Sequence, residues 1–250
     1  MLAYLTSLFE PGHALGLLAW STPGWGSVLM TGLLRTMEIS VGAYALGLAI
    51  GIVGAFGKLY GGEVVRDIFA IYTTVIRAVP ELVEILILYY AVPNVINQVL
   101  VSMHHDRIAL PQLLVGIIVL GFVVGAYMTE VLRGAILAVP AGQIEAARAY
   151  GMPPAMVARR VTIPQMLMNA LPGMSNLWLN TNKDTALLAV IGFSELTLTT
   201  TQAAGATKHY FIFFIAAGIL YMMISTFSGR FFAFFERRAR RGQPQRRGAV

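Results

Sequence analysis

Long apolar runs, separated by short polar stretches, are the dominant pattern of this chain. A helix needs roughly 20 apolar residues to cross the hydrocarbon core of a membrane, and five stretches are long enough. They cover approximately residues 31–57, 68–92, 110–128, 166–193 and 210–235. The pattern predicts an all-α polytopic membrane protein of about five transmembrane helices, in which residues 1–250 form a single transmembrane domain.

Small and aromatic residues distinguish the first and last predicted spans. The first carries Gly42, Gly47, Gly51, Gly54 and Gly57. Because small residues let helices approach closely in lipid, we expect this span to pack tightly against another. The last span is rich in phenylalanines that we expect to face lipid: Phe211, Phe213, Phe214, Phe231, Phe232, Phe234 and Phe235.

The second and fourth predicted spans are less regular. The second begins with apolar residues at helical spacing, so its first third is amphipathic and suited to the membrane interface; these are Val64, Ile68, Ile71, Tyr72 and Val75. The fourth is interrupted by polar side chains, which survive at membrane depth only inside a bundle or along a cavity; these are Asn169, Asn176, Asn180, Asn182, Lys183 and Asp184. The fourth span is therefore predicted to break near residues 180–184.

Composition and charge agree with a membrane protein and suggest an orientation. Hydrophobic residues make up 57% of the chain, charged residues only 12%, and there is no Cys, which excludes disulfides and thiolate metal sites. Basic residues concentrate at 58–67, at 140–165 and in the C-terminal segment. The positive-inside rule places these segments in the cytoplasm and the N-terminus outside. The basic tail over 236–250 is better explained as a cytoplasmic anchor than as a nucleic-acid contact.

The polar stretch VPAGQIEAARAYGMPPAMVARRVTIPQ at 139–165 does not resemble a span. It predicts a short helix over 143–150, a stop at Gly151, and a second short helix over 155–161 that Pro164 ends. Small residues would leave a low surface that a partner's groove could accept, rimmed by Arg148, Arg159 and Arg160. From the residues alone, a plain cytoplasmic hairpin without a partner fits equally well.

The spacing of this stretch resembles the EAA loop of ABC-importer permeases. Glu145, Ala146 and Ala147 are followed by Gly151, Val161 and then Ile163 and Pro164 at the family's intervals, and Val161 and Ile163 are mild departures that stay apolar. Segments 57–59, 72–90, 125–147, 170–176 and 182–196 resemble the polar amino-acid branch. Across about residues 28–240, the chain is most similar to the first permease subunit of histidine/basic amino-acid and opine importers.

This resemblance implies a type I ABC-importer permease of the bacterial inner membrane that moves polar amino acids by alternating access. Its implied partners are ABC ATPase subunits, a second homologous permease forming a heterodimer, a periplasmic or extracellular solute-binding protein, and membrane lipid. The implied ATPase-docking residues are Glu145, Ala146, Ala147, Gly151, Ile163 and Pro164. No cofactor is expected in this chain, and ATP and Mg²⁺ would bind the partner subunits. The segment GIVGAFGKL at 51–59 lacks the spacing and the hydroxyl residue of a P-loop.

Charged residues inside the predicted spans are candidates for the substrate pathway or gate. Arg77, Glu81 and Glu84 fall at i, i+4 and i+7 around Pro80, which predicts a paired stripe facing the pathway, the partner permease or lipid headgroups. Lys183, Asp184 and Thr185 resemble a family motif at the broken fourth helix, with a pathway role or helix packing as the choices. Arg35 with Glu38 and Glu130 with Arg133 are predicted as i, i+3 pairs.

Two other functional classes fit the sequence less well than an ABC permease. An ion-gradient secondary transporter would show inverted repeats with paired broken helices, whereas only one broken span is visible here. A membrane enzyme would need a nucleophile–base pair or a metal cluster, and the sequence offers no plausible set of either.

Overall fold

A computed structural model describes residues 14–20 and 24–239. Within these residues, nine α-helices follow a 3₁₀-helix over Ala14–Leu18. They are α1 Gly26–Tyr60, α2 Glu63–Ala78, α3 Glu81–Ser102, α4 Gln112–Leu137, α5 Ala141–Ala149, α6 Pro154–Val157, α7 Ile163–Asp184, α8 Leu196–Thr207 and α9 Tyr210–Ala239. The tail arginines Arg240, Arg241, Arg246 and Arg247 lie outside the described residues.

Four of the described helices, α1, α3, α4 and α9, are long and apolar enough to cross a membrane. The predicted all-α membrane fold is therefore confirmed. Helix α7 has 22 residues, and its asparagines and charged residues keep it out of this apolar group. The orientation across the membrane stays a prediction.

The glycines of α1 let it pack closely against α4. A Cβ atom built on Gly51 would lie 2.4 Å from Met128 Cγ of α4, and one on Gly54 would lie 2.4 Å from Thr129 Oγ1. The closeness is mutual, since a Cβ on Gly121 of α4 would lie 2.8 Å from Leu46 Cδ2. The predicted close packing of the first span is confirmed, with α4 as its partner.

The second predicted span is wrong in its bounds. Val79 and Pro80 have extended backbone conformations, with ψ of 144° and 132°. Proline disfavours a helical conformation in the residue before it, so the helix stops instead of kinking. The amphipathic segment is a separate helix, α2, and the span is α3. Val64, Ile68, Ile71 and Val75 of α2 remain exposed.

The fourth predicted span continues further than expected before it changes. Helix α7 stays α-helical through Asp184, tightens into a 3₁₀-helix over Thr185–Ile191, and ends at Gly192 with φ of +81°. The helix backbone itself provides partners for some of these polar side chains, since Asn182 Nδ2 donates to the Trp178 carbonyl at 2.8 Å. The change from α-helix to 3₁₀-helix therefore comes just after residues 180–184, whereas the break was predicted within them.

Helix α8 lies within residues 194–209, between the fourth and fifth predicted spans, where no helix was predicted. This helix packs with α9 and the start of α1 in a cluster that includes Leu29, Leu196 and Phe213. Phe213 is fully buried, which contradicts its predicted lipid-facing position. Its ring fills the space beside Ala203 and Ala204 of α8, a helix that the sequence pattern did not reveal.

Candidate functional site

The stretch at 139–165 does form a helical hairpin, which we call the 141–162 hairpin. Helix α5 starts after the extended residue Pro140, and α6 starts at Pro154. The predicted first short helix is confirmed. The first arm is joined to the start of α7 by a hydrogen bond from Gln165 Nε2 to Gln143 Oε1.

Gly151 closes α5 with a Schellman motif. Its φ is +77°, and its N–H donates to the Arg148 carbonyl at 2.9 Å while the Met152 N–H donates to the Ala147 carbonyl at 3.2 Å. This pair of bonds satisfies carbonyls at the helix end and favours glycine. A Cβ atom at Gly151 would meet no atom within 4 Å, so the backbone conformation, and not crowding, favours glycine here.

The exposed face of the hairpin differs in part from the prediction. Glu145, Ala146 and Gly151 are exposed, but Ala147 is only 6% exposed, because it points toward the inside of the hairpin, where Val157 is also buried. The Glu145 carboxylate has no hydrogen bond or ion pair among the described residues. Sequence reasoning missed Tyr150, whose side chain is 88% exposed at the turn.

The second arm of the hairpin does not end at Pro164. A π-helical turn over Ala158–Thr162 links α6 directly to α7, and Pro164 occupies the first turn of α7. A proline inside a helix lacks the N–H for the carbonyl four residues earlier and crowds it. The wider π turn just before Pro164 accommodates that defect. Ile163 and Pro164, both exposed, are therefore part of one continuous helical segment.

The predicted stripe of Arg77, Glu81 and Glu84 is not a single helix face. Arg77 lies near the end of α2, whereas Glu81 and Glu84 lie in the first turn of α3, on the other side of the break at Val79 and Pro80. Arg77 forms no ion pair with either glutamate in the described part of the chain. The predicted pairing is therefore wrong.

Tertiary packing nevertheless gathers these charges, in what we call the acidic cluster: Glu81, Glu84 and Asp184. The carboxyl groups of Glu81 and Asp184 lie close enough to interact electrostatically. Glu84 is 5% exposed, and neither of its carboxylate oxygens has a hydrogen-bond donor among the described residues. Tyr127 of α4 lies within electrostatic reach of the cluster and of Arg77. Arg77 and Tyr127 also line a cavity of about 340 Å³ with Asn176.

The neighbours Lys183 and Thr185 point elsewhere. Lys183 is exposed and lines a different cavity, with Tyr221 of α9. Thr185 is fully buried, and its hydroxyl donates to the Asn182 carbonyl at 2.8 Å. Of the three motif residues, Asp184 alone joins the acidic cluster.

Both predicted i, i+3 pairs are present, and one belongs to a larger network. Arg35 and Glu38 are 2.8 Å apart and half exposed, and Arg133 lies 2.9 Å from Glu130. Lys58 of α1 adds a 2.6 Å ion pair with Glu130 and donates to Thr73 of α2 at 2.9 Å. Lys58 therefore ties α1, α2 and α4 together, a role that no spacing along the sequence could have indicated.

A second unanticipated network surrounds Glu195. This residue is fully buried and precedes α8, where its carboxylate accepts hydrogen bonds from the Thr197 and Leu198 N–H groups at 2.7 and 2.8 Å. The Tyr221 hydroxyl donates to it at 3.0 Å. A carboxylate suits the positive end of a helix. Such a cap is recognisable in sequence only after α8 is known to be a helix.

Comparison with known families identifies this arrangement of helices. Residues 47–241 match the model of the family described as "Binding-protein-dependent transport system inner membrane component". The chain belongs to this family. It is therefore an inner-membrane permease, and the alternative of an ion-gradient secondary transporter is set aside. No three His, Asp or Glu side chains among the described residues are arranged so that they could hold a metal ion.

Individual relatives of this permease span nearly its whole length. The histidine/lysine/arginine/ornithine transport system permease protein HisQ of Escherichia coli (strain K12) is 40% identical, over 86% of this chain and 94% of that protein. The nopaline transport system permease protein NocQ of Agrobacterium fabrum is 38% identical, over 91% and 98%. A crystal structure of an amino acid ABC transporter with histidines superposes with a TM-score of 0.73 at 30% identity, over 86% and 95%.

Proposed function

We propose that this permease is one half of the membrane channel of an ABC importer for basic amino acids or opines. The permeases of histidine/lysine/arginine/ornithine and nopaline systems are similar to it over nearly their whole length. Its partners would be a second, homologous permease, two ATPase subunits and a solute-binding protein. ATP and Mg²⁺ would bind the ATPases, and this chain would contribute the pathway and the docking element.

The exposed face of the 141–162 hairpin is the observation that carries this proposal. It presents the Glu145 carboxylate, which has no partner among the described residues, together with the small residue Ala146 and the exposed ring of Tyr150. An aromatic side chain next to an unpaired charge is typical of residues that dominate protein–protein affinity. The Schellman cap at Gly151 fixes the position of Tyr150 relative to Glu145. This face would dock on an ATPase subunit.

Replacing Glu145 with glutamine is expected to weaken ATPase association roughly thirtyfold, because truncating one partner of a buried interfacial charge pair costs about 2 kcal/mol or more. The measurement is the affinity of the purified ATPase subunit for the detergent-solubilised permease pair, with arginine uptake in proteoliposomes as a second readout.

The matched control is Glu63→Gln. Glu63 is also exposed, and it begins α2, on the side of the membrane where the basic-residue pattern places the hairpin. This variant should keep the parent affinity. Equal affinities for the parent and Glu145→Gln would rule out Glu145 as a docking residue.

The acidic cluster is the part of the pathway that would hold the substrate's cationic side chain. An unpaired buried carboxylate is costly unless a donor reaches it, and Glu84 has none among the described residues. A guanidinium or ammonium group would supply those hydrogen bonds. The nearby exposed Arg77 would pair with the substrate's α-carboxylate in the cavity that it shares with Tyr127. Alternating access would then expose the site to either side of the membrane.

Replacing Glu84 with glutamine is expected to raise the Kd for arginine about tenfold, since a hydrogen bond to a charged group contributes about 1.5 kcal/mol. The measurement is calorimetric titration of arginine into the solubilised transporter without the solute-binding protein, so that only the pathway is probed. Glu63→Gln again serves as the control and should leave the Kd unchanged. An unaltered Kd in Glu84→Gln would show that Glu84 does not contact the substrate.

A further inference from the structure

A third cavity lies beneath the 141–162 hairpin, and Glu145 does not line it; we call it the subhairpin cavity. Its volume is about 600 Å³. It is enclosed by the last turns of α1 and α4, by both arms of the hairpin and by the start of α7, and its walls include Phe56, Tyr60, Leu137, Ile144, Arg148 and Ile163. Ile163 is the one implied ATPase-docking residue that lines it, and no residue of the acidic cluster does.

The walls of this cavity place it at a membrane boundary. Helices α1 and α4 are both apolar enough to span, and the cavity lies where both of them end. Phe56, Tyr60 and Leu137 are 50%, 68% and 60% exposed, so the apolar walls open outward. A tyrosine at the end of a span is typical of the headgroup level. The cavity therefore opens where acyl chains meet headgroups.

One positively charged side chain, Arg148, lies among the apolar walls of the cavity. Arg148 is the only charged residue among the described residues that line the cavity, and it forms no ion pair with any described side chain. Lys58, near the end of α1, is already paired with Glu130 at 2.6 Å. Arg159 and Arg160 are exposed on the same hairpin and add positive charge nearby without lining the cavity.

We propose that the subhairpin cavity binds an anionic phospholipid, with its phosphate on Arg148 and acyl carbons against Phe56, Leu137 and Ile163. The apolar walls would leave a free inorganic phosphate without contacts, and an unpaired guanidinium would be left desolvated by a purely apolar occupant. A phospholipid satisfies both requirements. Because the cavity touches α1, α4 and both arms of the hairpin, the bound lipid would hold the docking element against the membrane helices.

The test uses brominated lipids, which quench tryptophan fluorescence on contact. The permease, carrying Leu137→Trp, is reconstituted with its partner permease and ATPases in nanodiscs of phosphatidylcholine, into which brominated phosphatidylglycerol or brominated phosphatidylcholine is titrated. Quenching that depends on the new tryptophan reports occupancy. We expect about fivefold tighter binding of phosphatidylglycerol, the effect of one basic residue near an anionic headgroup.

Three variants decide the outcome. Arg148→Gln should abolish the preference for phosphatidylglycerol, Arg148→Lys should keep most of it, and Arg159→Gln, which removes a charge from the same hairpin but not from the cavity, should keep all of it. Equal losses in Arg148→Gln and Arg159→Gln would reduce the effect to general surface charge and overturn the proposal. Absence of quenching by either lipid would mean that protein fills the cavity, which overturns it as well.

Discussion

Replacement of Gly51 by leucine should eliminate the folded permease. Even the first added carbon would lie 2.4 Å from Met128 Cγ and 3.0 Å from the Met128 carbonyl carbon. The side chain of Met128 is fully buried and has no free space to enter, so α1 and α4 would have to separate. Overpacking by one methyl group costs about 1–3 kcal/mol, and leucine adds three more carbons. We expect Gly51→Ala to lower the Tm clearly and Gly51→Leu to yield no monodisperse protein in detergent.

Gly134 provides the matched control, because it lies in α4 and a Cβ atom there would meet nothing within 4 Å. Gly134→Ala should be neutral or slightly stabilising, since alanine has a better helix propensity than glycine. Comparing the two alanine variants therefore separates the effect of α1–α4 packing from the effect of helix propensity. If Gly51→Ala and Gly134→Ala had the same Tm, the α1–α4 contact could not be as close as described.

Outside the α1–α4 contact, loss of the Glu195 carboxylate should destabilise the fold more than truncation of any other single side chain. Glu195→Ala leaves the N–H groups of Thr197 and Leu198 without their acceptor in a site with no solvent exposure. Loss of an N-cap costs about 1 kcal/mol, and each hydrogen bond to a charged group contributes about 1.5–3 kcal/mol. Part of this is offset because the buried charge disappears too. We expect about 2–4 kcal/mol of destabilisation, measured by thermal unfolding in detergent.

Two companion variants separate the cap from the rest of the network. Tyr221→Phe removes only the hydroxyl that donates to Glu195 at 3.0 Å, and should cost about 1 kcal/mol. Thr201→Ala removes an exposed hydroxyl that bonds only the Thr197 carbonyl in the same helix, and should stay within about 0.5 kcal/mol of the parent. A Glu195→Ala variant as stable as Thr201→Ala would contradict the capping role.

The membrane spans were predictable where the apolar run of a single helix is long enough to show in the sequence. The glycine pattern of α1 indicated close packing because small residues have that effect on any neighbour. Helix α8 was missed because its 12 residues are too few for a membrane span, and the apolar pattern was searched for spans. In the fold, the hydroxyls of Thr199 and Thr200 bond the Glu195 and Leu196 carbonyls at 2.9 and 2.6 Å, so the polar groups are satisfied inside the helix itself.

The parts of the site that depend on neighbouring residues were predictable from the sequence. The parts that depend on contacts between distant segments were not. The turn at Gly151 follows from the sequence around it. The acidic cluster does not, since Asp184 comes near Glu81 only because the 3₁₀-helix that follows it, Thr185–Ile191, packs against α3. The error at Arg77 has the same origin: helical spacing was assumed across Pro80, and Val79, pushed into an extended conformation by the proline, ended the helix before the spacing applied.

The π-helical turn over Ala158–Thr162 has a mechanical consequence. Because it joins α6 to α7 without a loop, the helical backbone runs unbroken from Pro154 in the 141–162 hairpin to Asp184, a length on the order of 45 Å at 1.5 Å per residue. If the hairpin docks on an ATPase as proposed, a displacement of the hairpin would be carried along this helix to Asp184 in the acidic cluster.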